Sequence, residues 1–269
     1  MKALKITENE HEEFDPLFED VEHVGVDQLA PWVSRERADV TFNGRSVSEY
    51  DAAFAEIPAK NAVFGRVLLE MMEEKGIRLN YPSTGFFIMA KKNYLYHTLH
   101  EKGVSAPKTV VIAEEKAMRN LGDHLEAPVV GKRFHELKEV EKSELEDMDD
   151  VEEFTEGVEY GENFLIFHSL NRGDKYRCLV TGDNVISLAD TTETWEMSTD
   201  NLKYTNMSRD LRELAKTTAR KIGTECAEVL IRDGQVVDVN PNPDLQTYTE
   251  VSGKNAYESL AEVLRGEDQ

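Results

Sequence analysis

The chain has 269 residues, of which 53 are acidic and 31 basic, and its formal net charge is -22. This excess of negative charge repels nucleic acid and anionic lipid surfaces, so neither is expected as a partner. Apolar residues make up 40% of the sequence and no apolar run is long enough to span a bilayer, while the acidic N-terminus, MKALKITENEHEEF, lacks the apolar core of a signal peptide, which predicts a cytoplasmic protein.

The first 80 residues alternate strand and helix patterns. Strands are predicted at 1–6, 50–57 and 77–82, and an amphipathic helix at 61–76 ends at a glycine. This order is typical of an α/β unit with parallel strand pairing. The predicted core stripe of the helix consists of Val63, Val67, Leu68, Met71 and Met72.

The rest of the chain is richer in strands. A helix at 91–103, a strand at 108–113 and a short acidic helix come first. They are followed by strands at 127–133, 163–170, 175–182 and 184–190, a helix at 209–223, and two closing strands at 227–231 and 236–240. Several strands joined by short turns predict a mixed, mostly antiparallel sheet around a cleft.

The last strand, within VVDVNPNPDL (236–245), carries polar side chains on one face. Asp238 and Asn240 are two positions apart and therefore point the same way, while the valines between them point the other way. The two prolines that follow end the strand. Carboxylate and amide oxygens are suitable ligands for magnesium. The alternative interpretation is a solvated strand end followed by a turn.

A third carboxylate, Glu228, lies on the preceding strand, and the turn decides whether it joins the other two. A two-residue turn would place Glu228 opposite Val239, on the wrong face. A three-residue turn with Gly234 in the left-handed conformation would place it opposite Asp238. We favour the second turn, which gives a cradle of Glu228, Asp238 and Asn240. Two facing carboxylates repel each other, so the cradle is expected to need a cation.

Three basic residues complete the pattern: Lys92 opens a helix, Lys132 ends an apolar strand, and Arg177 lies inside another strand. Any one of them alone would most simply be a surface side chain. Together with a carboxylate–amide metal site, however, cations from separate elements suit the binding of a triphosphate.

With these residues in place, the chain resembles the ATP-grasp proteins over its whole length, and within that superfamily it is most similar to the RimK-like glutamate ligases. The segments that carry the resemblance are KKNYLYHTLHEKGVSAPKTV with Lys92, APVVGKR with Lys132, KYRCLVTGDNVISL with Arg177, STDNLK with Asn201, and AEVLIRDGQVVDVNPNPDL with Glu228, Asp238 and Asn240.

The resemblance implies an α/β protein with the ATP-grasp fold and a Rossmann-like N-terminal domain. The implied domains are an N-terminal domain at 1–85, a lid at 86–160 and a C-terminal part with the metal site at 161–269. It also implies an ATP- and magnesium-dependent carboxylate-amine ligase that forms an amide bond through an acyl phosphate, with Mn²⁺ as an alternative metal. The acceptor is an amino acid or a peptide or protein carboxylate, and the oligomeric state stays open.

The resemblance also implies a role for each site residue. Lys92 and Lys132 would bind ATP phosphates, and Phe167 and His168 stand in the segment that holds adenine and ribose. Arg177, Asn201 and Lys203 would act at the transferred phosphate and the substrate, and Glu228, Asp238 and Asn240 would bind the metal.

Two segments depart from the family pattern. No glycine occurs between Lys132 and Gly157, where a glycine-rich loop would cover the phosphates. In FLIFHSL, Phe167 and His168 replace the acidic residue of the ribose segment. An alternative function is therefore a degenerate ATP-grasp protein that binds nucleotide or a partner without catalysis. A third is a kinase that releases a phosphorylated small molecule.

Two further compositional features bear on the setting of the protein. Cys178 and Cys226 lie in separate apolar segments without metal-ligand spacing, which predicts buried free thiols. Acidic residues are spread through the chain, with a dense patch at 141–153, which suggests a halophilic source.

If the source is halophilic, molar potassium chloride should raise both the melting temperature and the activity, because concentrated salt screens repulsion between the acidic side chains. Thermal melting in low and high salt measures the first effect. Equal stability at both salt concentrations would contradict the hypothesis.

Overall fold

The N-terminal part of the protein contains two small sheets and three α-helices. A computed structural model describes residues 1–135, 138–161 and 163–267. The elements of this part are β1 (Lys2–Ile6), β2 (Asp20–Val24), β3 (Ala30–Val33), β4 (Ala38–Phe42), β5 (Arg45–Ser46), β6 (Ala52–Ala55), α1 (Ala62–Glu74), β7 (Arg78–Leu79), α2 (Ser83–Ala90) and α3 (Lys92–Glu101). The first sheet has the order β2-β1-β6-β7 and is parallel, as predicted, while β3, β4 and β5 form an antiparallel sheet.

Helix α1 forms where it was predicted, but its buried face differs from the predicted one. Val63 and Val67 are 61% and 46% exposed, so their placement in the core stripe was wrong. The buried positions are Ala62, Gly65, Leu68, Leu69, Met71 and Met72. The helix packs so closely here that a Cβ on Gly65 would lie 2.8 Å from Ile57 Cγ2. The face that includes Gly65 packs inwards because the missing Cβ allows this close contact, and the valines lie on the exposed face.

A third sheet, which is antiparallel, lies in the region predicted as the lid and is called the lid sheet. Its elements are β8 (Thr109–Ile112), β9 (Val129–His135), β10 (Lys138–Leu145), α4 (Met148–Thr155) and β11 (Asn163–Ser169), and its strand order is β10-β9-β11-β8. Strand β11 carries this sheet to Ser169, beyond residue 160, at which the predicted lid ended. The short acidic helix after β8 is a 3-10 helix at Glu115–Asn120.

Strand β10 stands in the stretch after Lys132 where a glycine-rich loop would be expected, and it was not predicted from the sequence. Only Leu145 among its residues is buried, so the strand shows no alternation of apolar and polar side chains. Residues 136 and 137 of the glycine-free stretch lie outside the described residues.

The C-terminal part is built on a five-stranded antiparallel sheet. Its elements are β12 (Lys175–Thr181), β13 (Asn184–Asp190), β14 (Leu202–Tyr204), α5 (Arg209–Ile222), β15 (Cys226–Arg232), β16 (Gln235–Asn240), α6 (Leu245–Ser252) and α7 (Ala256–Arg265). The strand order is β14-β13-β12-β15-β16. Helices α6 and α7 were not predicted. Helix α7 packs against β6 and β7 of the N-terminal sheet and α6 packs against β13 and β14, and both belong to an apolar cluster that includes Phe54, Tyr248 and Tyr257.

Two expectations from composition can be compared with the structure. Cys178 and Cys226 are buried free thiols, as predicted. Within the described part of the chain, no helix is both long and apolar enough to cross a membrane.

Candidate active site

The turn between β15 and β16 has two residues, Asp233 and Gly234, both with positive φ (47° and 71°). Arg232 therefore pairs directly with Gln235. The predicted three-residue turn was wrong, because Asp-Gly is a favoured pair for a two-residue turn whose residues are both left-handed.

A β-bulge corrects the register that this turn would otherwise impose. Ile231 pairs with Val236 but Leu230 pairs with Asp238, so Val237 is an extra residue in β16. Glu228 then lies opposite Asn240 rather than opposite Asp238, as had been predicted. The bulge nevertheless places the three predicted metal ligands on the same face of the sheet, because residues directly opposite each other share a face.

The carboxylate of Glu228 is enclosed by donors from the protein itself. Its side chain is 1% exposed. Arg177 donates to both oxygens, from Nε at 2.9 Å and from Nη2 at 3.0 Å. The Tyr248 hydroxyl donates at 3.0 Å and the Asn240 amide at 3.2 Å. Burial alone would lower the pKa of Arg177, but the adjacent Glu228 charge raises it above its usual value. The negative charge of Glu228 is thus compensated locally.

The second carboxylate, Asp238, has a different counter-charge. Lys92 Nζ, at the start of α3, lies 2.6 Å from Asp238 Oδ1 and 3.0 Å from the Val239 carbonyl oxygen. Burial would raise the pKa of Asp238, but Lys92 and Lys132 outweigh burial and lower it. Each carboxylate therefore has a basic side chain as its partner, so Lys92 and Arg177 supply the positive charge that the cradle was expected to need, and the metal ion stays a prediction.

A cavity of about 130 Å³ lies between the lid sheet and the C-terminal sheet, beside the cradle. It is lined on one side by Lys132, Lys142 and His168 and on the other by Arg177, Arg232 and Asp238. Val130, Leu230 and Val237 provide an apolar portion. A space with apolar walls and several cations suits a ligand that combines a flat apolar group with anionic groups.

Lys132, on β9, lines this cavity, and its implied role in binding ATP phosphate stays a prediction. Its side chain is 7% exposed, its Nζ donates to the Tyr96 hydroxyl at 3.0 Å, and Glu139 Oε2 lies 4.0 Å away. Burial would lower the pKa of Lys132, but the proximity of Tyr96, Asp238 and Glu139 raises it overall. Lys132 therefore stays protonated inside the cavity.

Phe167 and His168 point to opposite faces of β11. His168 is 5% exposed and lines the cavity, and neither ring nitrogen has a hydrogen-bond partner among the described residues. Burial, helped by Lys132, Lys142 and Arg232, lowers its pKa well below 6.5, so the ring is neutral at pH 7. Phe167 packs against Phe154 in the lid core, and its side chain is not brought to the cavity.

Asn201 and Lys203 are not brought together with the other predicted residues. Both are exposed, at or next to the edge strand β14, and neither lines the cavity. The structure adds three residues that the sequence analysis missed: Lys142, Trp195 and Arg232. Lys142 could have been found only by predicting β10, because strand pairing alone places it opposite Lys132.

The donor chemistry of the cradle fits a hard cation, because it offers two carboxylates and an amide on one face. Asp238 lines the cavity, whereas Asn240, two positions further along β16, does not, and its Oδ1 accepts a hydrogen bond from the backbone N–H of Asn242 at 3.0 Å. The described residues contain no cluster of three His, Cys, Asp or Glu side chains placed to hold a metal. Glu228 fits only if Arg177 gives up part of its contact.

No protein-family model matches the sequence. A curated relative, "Probable alpha-L-glutamate ligase" of Trichodesmium erythraeum (strain IMS101), is 25% identical over 250 residues, covering 82% of this chain and 81% of the relative.

Several solved structures share the architecture over nearly the whole chain. The RimK domain protein ATP-grasp from Sphaerobacter thermophilus DSM 20745 has a TM-score of 0.73 at 19% identity and covers 99% of this chain and 100% of its own. The ATP-grasp ligase PsnB, complexed with precursor peptide PsnA2 and AMPPNP, has a TM-score of 0.72 at 13% identity, with coverage of 100% and 97%. The macrocyclase MdnC from Microcystis aeruginosa MRC, bound with precursor peptide MdnA, has a TM-score of 0.66 at 12% identity. This match covers 99% of this chain and 100% of MdnC.

The chain therefore has the fold of the ATP-grasp ligases. Its similarity to RimK-like proteins, predicted from the motifs, is confirmed by the curated relative and by the RimK-domain structure.

The Arg177–Glu228 pair gives a prediction about stability. Arg177→Met should lower the free energy of unfolding by about 3–5 kcal/mol, because it leaves a buried carboxylate unpaired. Adding Glu228→Gln should recover more than half of that loss. Urea denaturation measures both changes. Arg172→Met, which removes the ion pairs of an exposed arginine with Glu144 and Glu146, serves as the control and should lower the free energy of unfolding much less. A double variant as unstable as the single one would contradict the assignment.

Proposed function

We propose that the protein is an ATP- and magnesium-dependent carboxylate-amine ligase that forms an amide bond through an acyl phosphate. The observation that supports this most strongly is the cationic cavity beside a carboxylate–amide cradle. Similarity to a probable alpha-L-glutamate ligase supports the reaction class. The reaction requires ATP, which favours the cytoplasm, where the two free thiols would also stay reduced.

In the proposed reaction, a substrate carboxylate oxygen attacks the γ-phosphorus of ATP, the bond to the bridging oxygen breaks, and ADP leaves. An amine nitrogen then attacks the acyl carbon, loses a proton, and inorganic phosphate departs. Charge shifts between oxygens in both steps, so fixed cations lower the barrier. Lys132 and Arg177 supply such charge in the cavity. No protein side chain has to act as a covalent nucleophile.

The proposed metal ligands are Asp238 and Asn240, with Glu228 as a third. Magnesium, or manganese in its place, would neutralise phosphate charge when bound. Lys92 and Arg177 now neutralise the two carboxylates. We propose that these two basic residues turn towards phosphate when nucleotide and metal are present, because the metal then balances the carboxylates. Asn201 and Lys203 stay candidates for substrate contact near the edge of the sheet.

The proposed acceptor is an amino acid or a peptide carboxylate. The support comes from similar proteins: one is a probable alpha-L-glutamate ligase, and PsnB and MdnC were solved with precursor peptides. We also propose the three domains predicted from the sequence, at 1–85, 86–160 and 161–269, with one adjustment. Strand β11 belongs to the lid, because it pairs with β8 and β9.

A second candidate function is nucleotide binding without catalysis. Two observations favour it: the full set of hydrogen bonds around Glu228, and the glycine-free strand β10 in place of a phosphate-covering loop. A protein with this function would bind ATP but would not release ADP.

The ligase should release ADP when given ATP, magnesium and a pool of amino acids and short peptides. Asp238→Asn combined with Asn240→Ala should abolish this release, because it removes oxygen ligands and charge from the cradle. Asp183→Asn, at an exposed ion pair in the β12–β13 turn, is the control and should act like the wild type.

Unchanged ADP release by the double variant would contradict the metal assignment. ATP binding without release for any acceptor would favour the second candidate. Mass spectrometry of the product separates an amide from a stable phosphorylated compound, which would indicate a kinase.

A further inference from the structure

Lys142 is placed by strand pairing beside a lysine already assigned to phosphate. Strand β10 runs antiparallel to β9, and the pairing puts Lys142 directly opposite Lys132. Both side chains line the same cavity. Side chains directly opposite each other in an antiparallel pair lie close together, and two like charges in this position destabilise the sheet.

The surroundings of Lys142 only partly offset this repulsion. The side chains of Lys132 and Lys142 are 7% and 24% exposed. Burial and the nearby Lys132 charge lower the pKa of Lys142. The neighbouring His168 ring is neutral and without a hydrogen-bond partner among the described residues. A bound anion between the two lysines would remove the repulsion and give these groups partners.

A fixed loop holds Lys142 in position from the other side. The Trp195 ring centre lies 5.0 Å from Lys142 Nζ, and Glu196 Oε1 lies 3.8 Å from it. This loop is anchored by the buried Lys175, whose Nζ donates to the carbonyl oxygens of Thr194 at 2.8 Å and Glu196 at 2.9 Å. Lys142 is thus confined between β9 and an anchored loop, with its ammonium group at the cavity.

We propose that Lys142 is a phosphate-binding residue of the nucleotide site, contributed by the strand that stands where a glycine-rich loop is missing. The inference rests on the proposed function, because it requires that the cavity accept a nucleotide. A lysine ammonium offers three hydrogen-bond donors and a full charge, whereas backbone amides of a loop offer one donor each. A charged side chain on a regular strand can therefore replace amides that only glycine would bring close to phosphate.

The test compares ligands with and without phosphate. Lys142→Met keeps the aliphatic stem against Trp195 and removes the charge. It should weaken binding of magnesium–AMPPNP about tenfold or more while changing adenosine binding less than about twofold. Lys142→Arg should retain AMPPNP binding. Lys138→Met, on the same strand but exposed, is the matched control and should bind both ligands like the wild type. Calorimetry measures the affinities, and thermal melting verifies that each variant is folded.

Three outcomes would overturn the inference. If Lys142→Met binds AMPPNP as tightly as the wild type does, Lys142 does not contact phosphate, and the proposed function stands. If adenosine binding falls as much as AMPPNP binding, the role of Lys142 is structural. If the wild type itself binds no nucleotide, the proposed function fails, and the assignment of Lys142 fails with it.

Discussion

Charge compensation around Glu228 is the constraint on which the rest of the site depends. This carboxylate is nearly inaccessible to water, so it has to be paired and hydrogen-bonded within the protein. Its donors come from β12, β16 and α6, through Arg177, Asn240 and Tyr248. The bulge in β16 is what brings Asn240 opposite Glu228. A small irregularity in one strand thus sets the geometry of the cradle.

The cavity has the opposite electrostatic character to the chain as a whole. The formal net charge is -22, yet Lys132, Lys142, Arg177 and Arg232 all line one small space. A local group of cations inside an acidic protein attracts small anions, while the surface repels large polyanions such as nucleic acid. The same distribution is consistent with the proposed triphosphate site in an acidic protein, where the proposed metal ligands Asp238 and Glu228 have Lys92 and Arg177 as partners.

Sequence patterns correctly located the elements with strong hydrophobic periodicity. They failed where side-chain packing or strand pairing determines the local structure. The parallel pairing of β1, β6 and β7 and the strands β12, β13, β15 and β16 were predicted correctly, whereas β2 and β14 were missed. Strand β10 was missed because only Leu145 on it is buried. The turn at Asp233 was predicted wrongly because a bulge in β16, and not a longer turn, brings Glu228 onto the same face as Asp238. Such a bulge has no reliable signal in the local sequence. The face of α1 was misjudged because Gly65 permits a close approach that hydrophobicity alone does not reveal.

The most direct test of the proposed nucleotide site is calorimetric titration of AMPPNP into the wild-type protein with and without magnesium. We predict binding that strengthens about tenfold or more when magnesium is present, because the metal takes over the neutralisation of Asp238 and Glu228 and allows Lys92 and Arg177 to contact phosphate. Binding of equal strength without the metal would contradict this exchange of partners. No binding at millimolar nucleotide would contradict the assignment of the cavity itself.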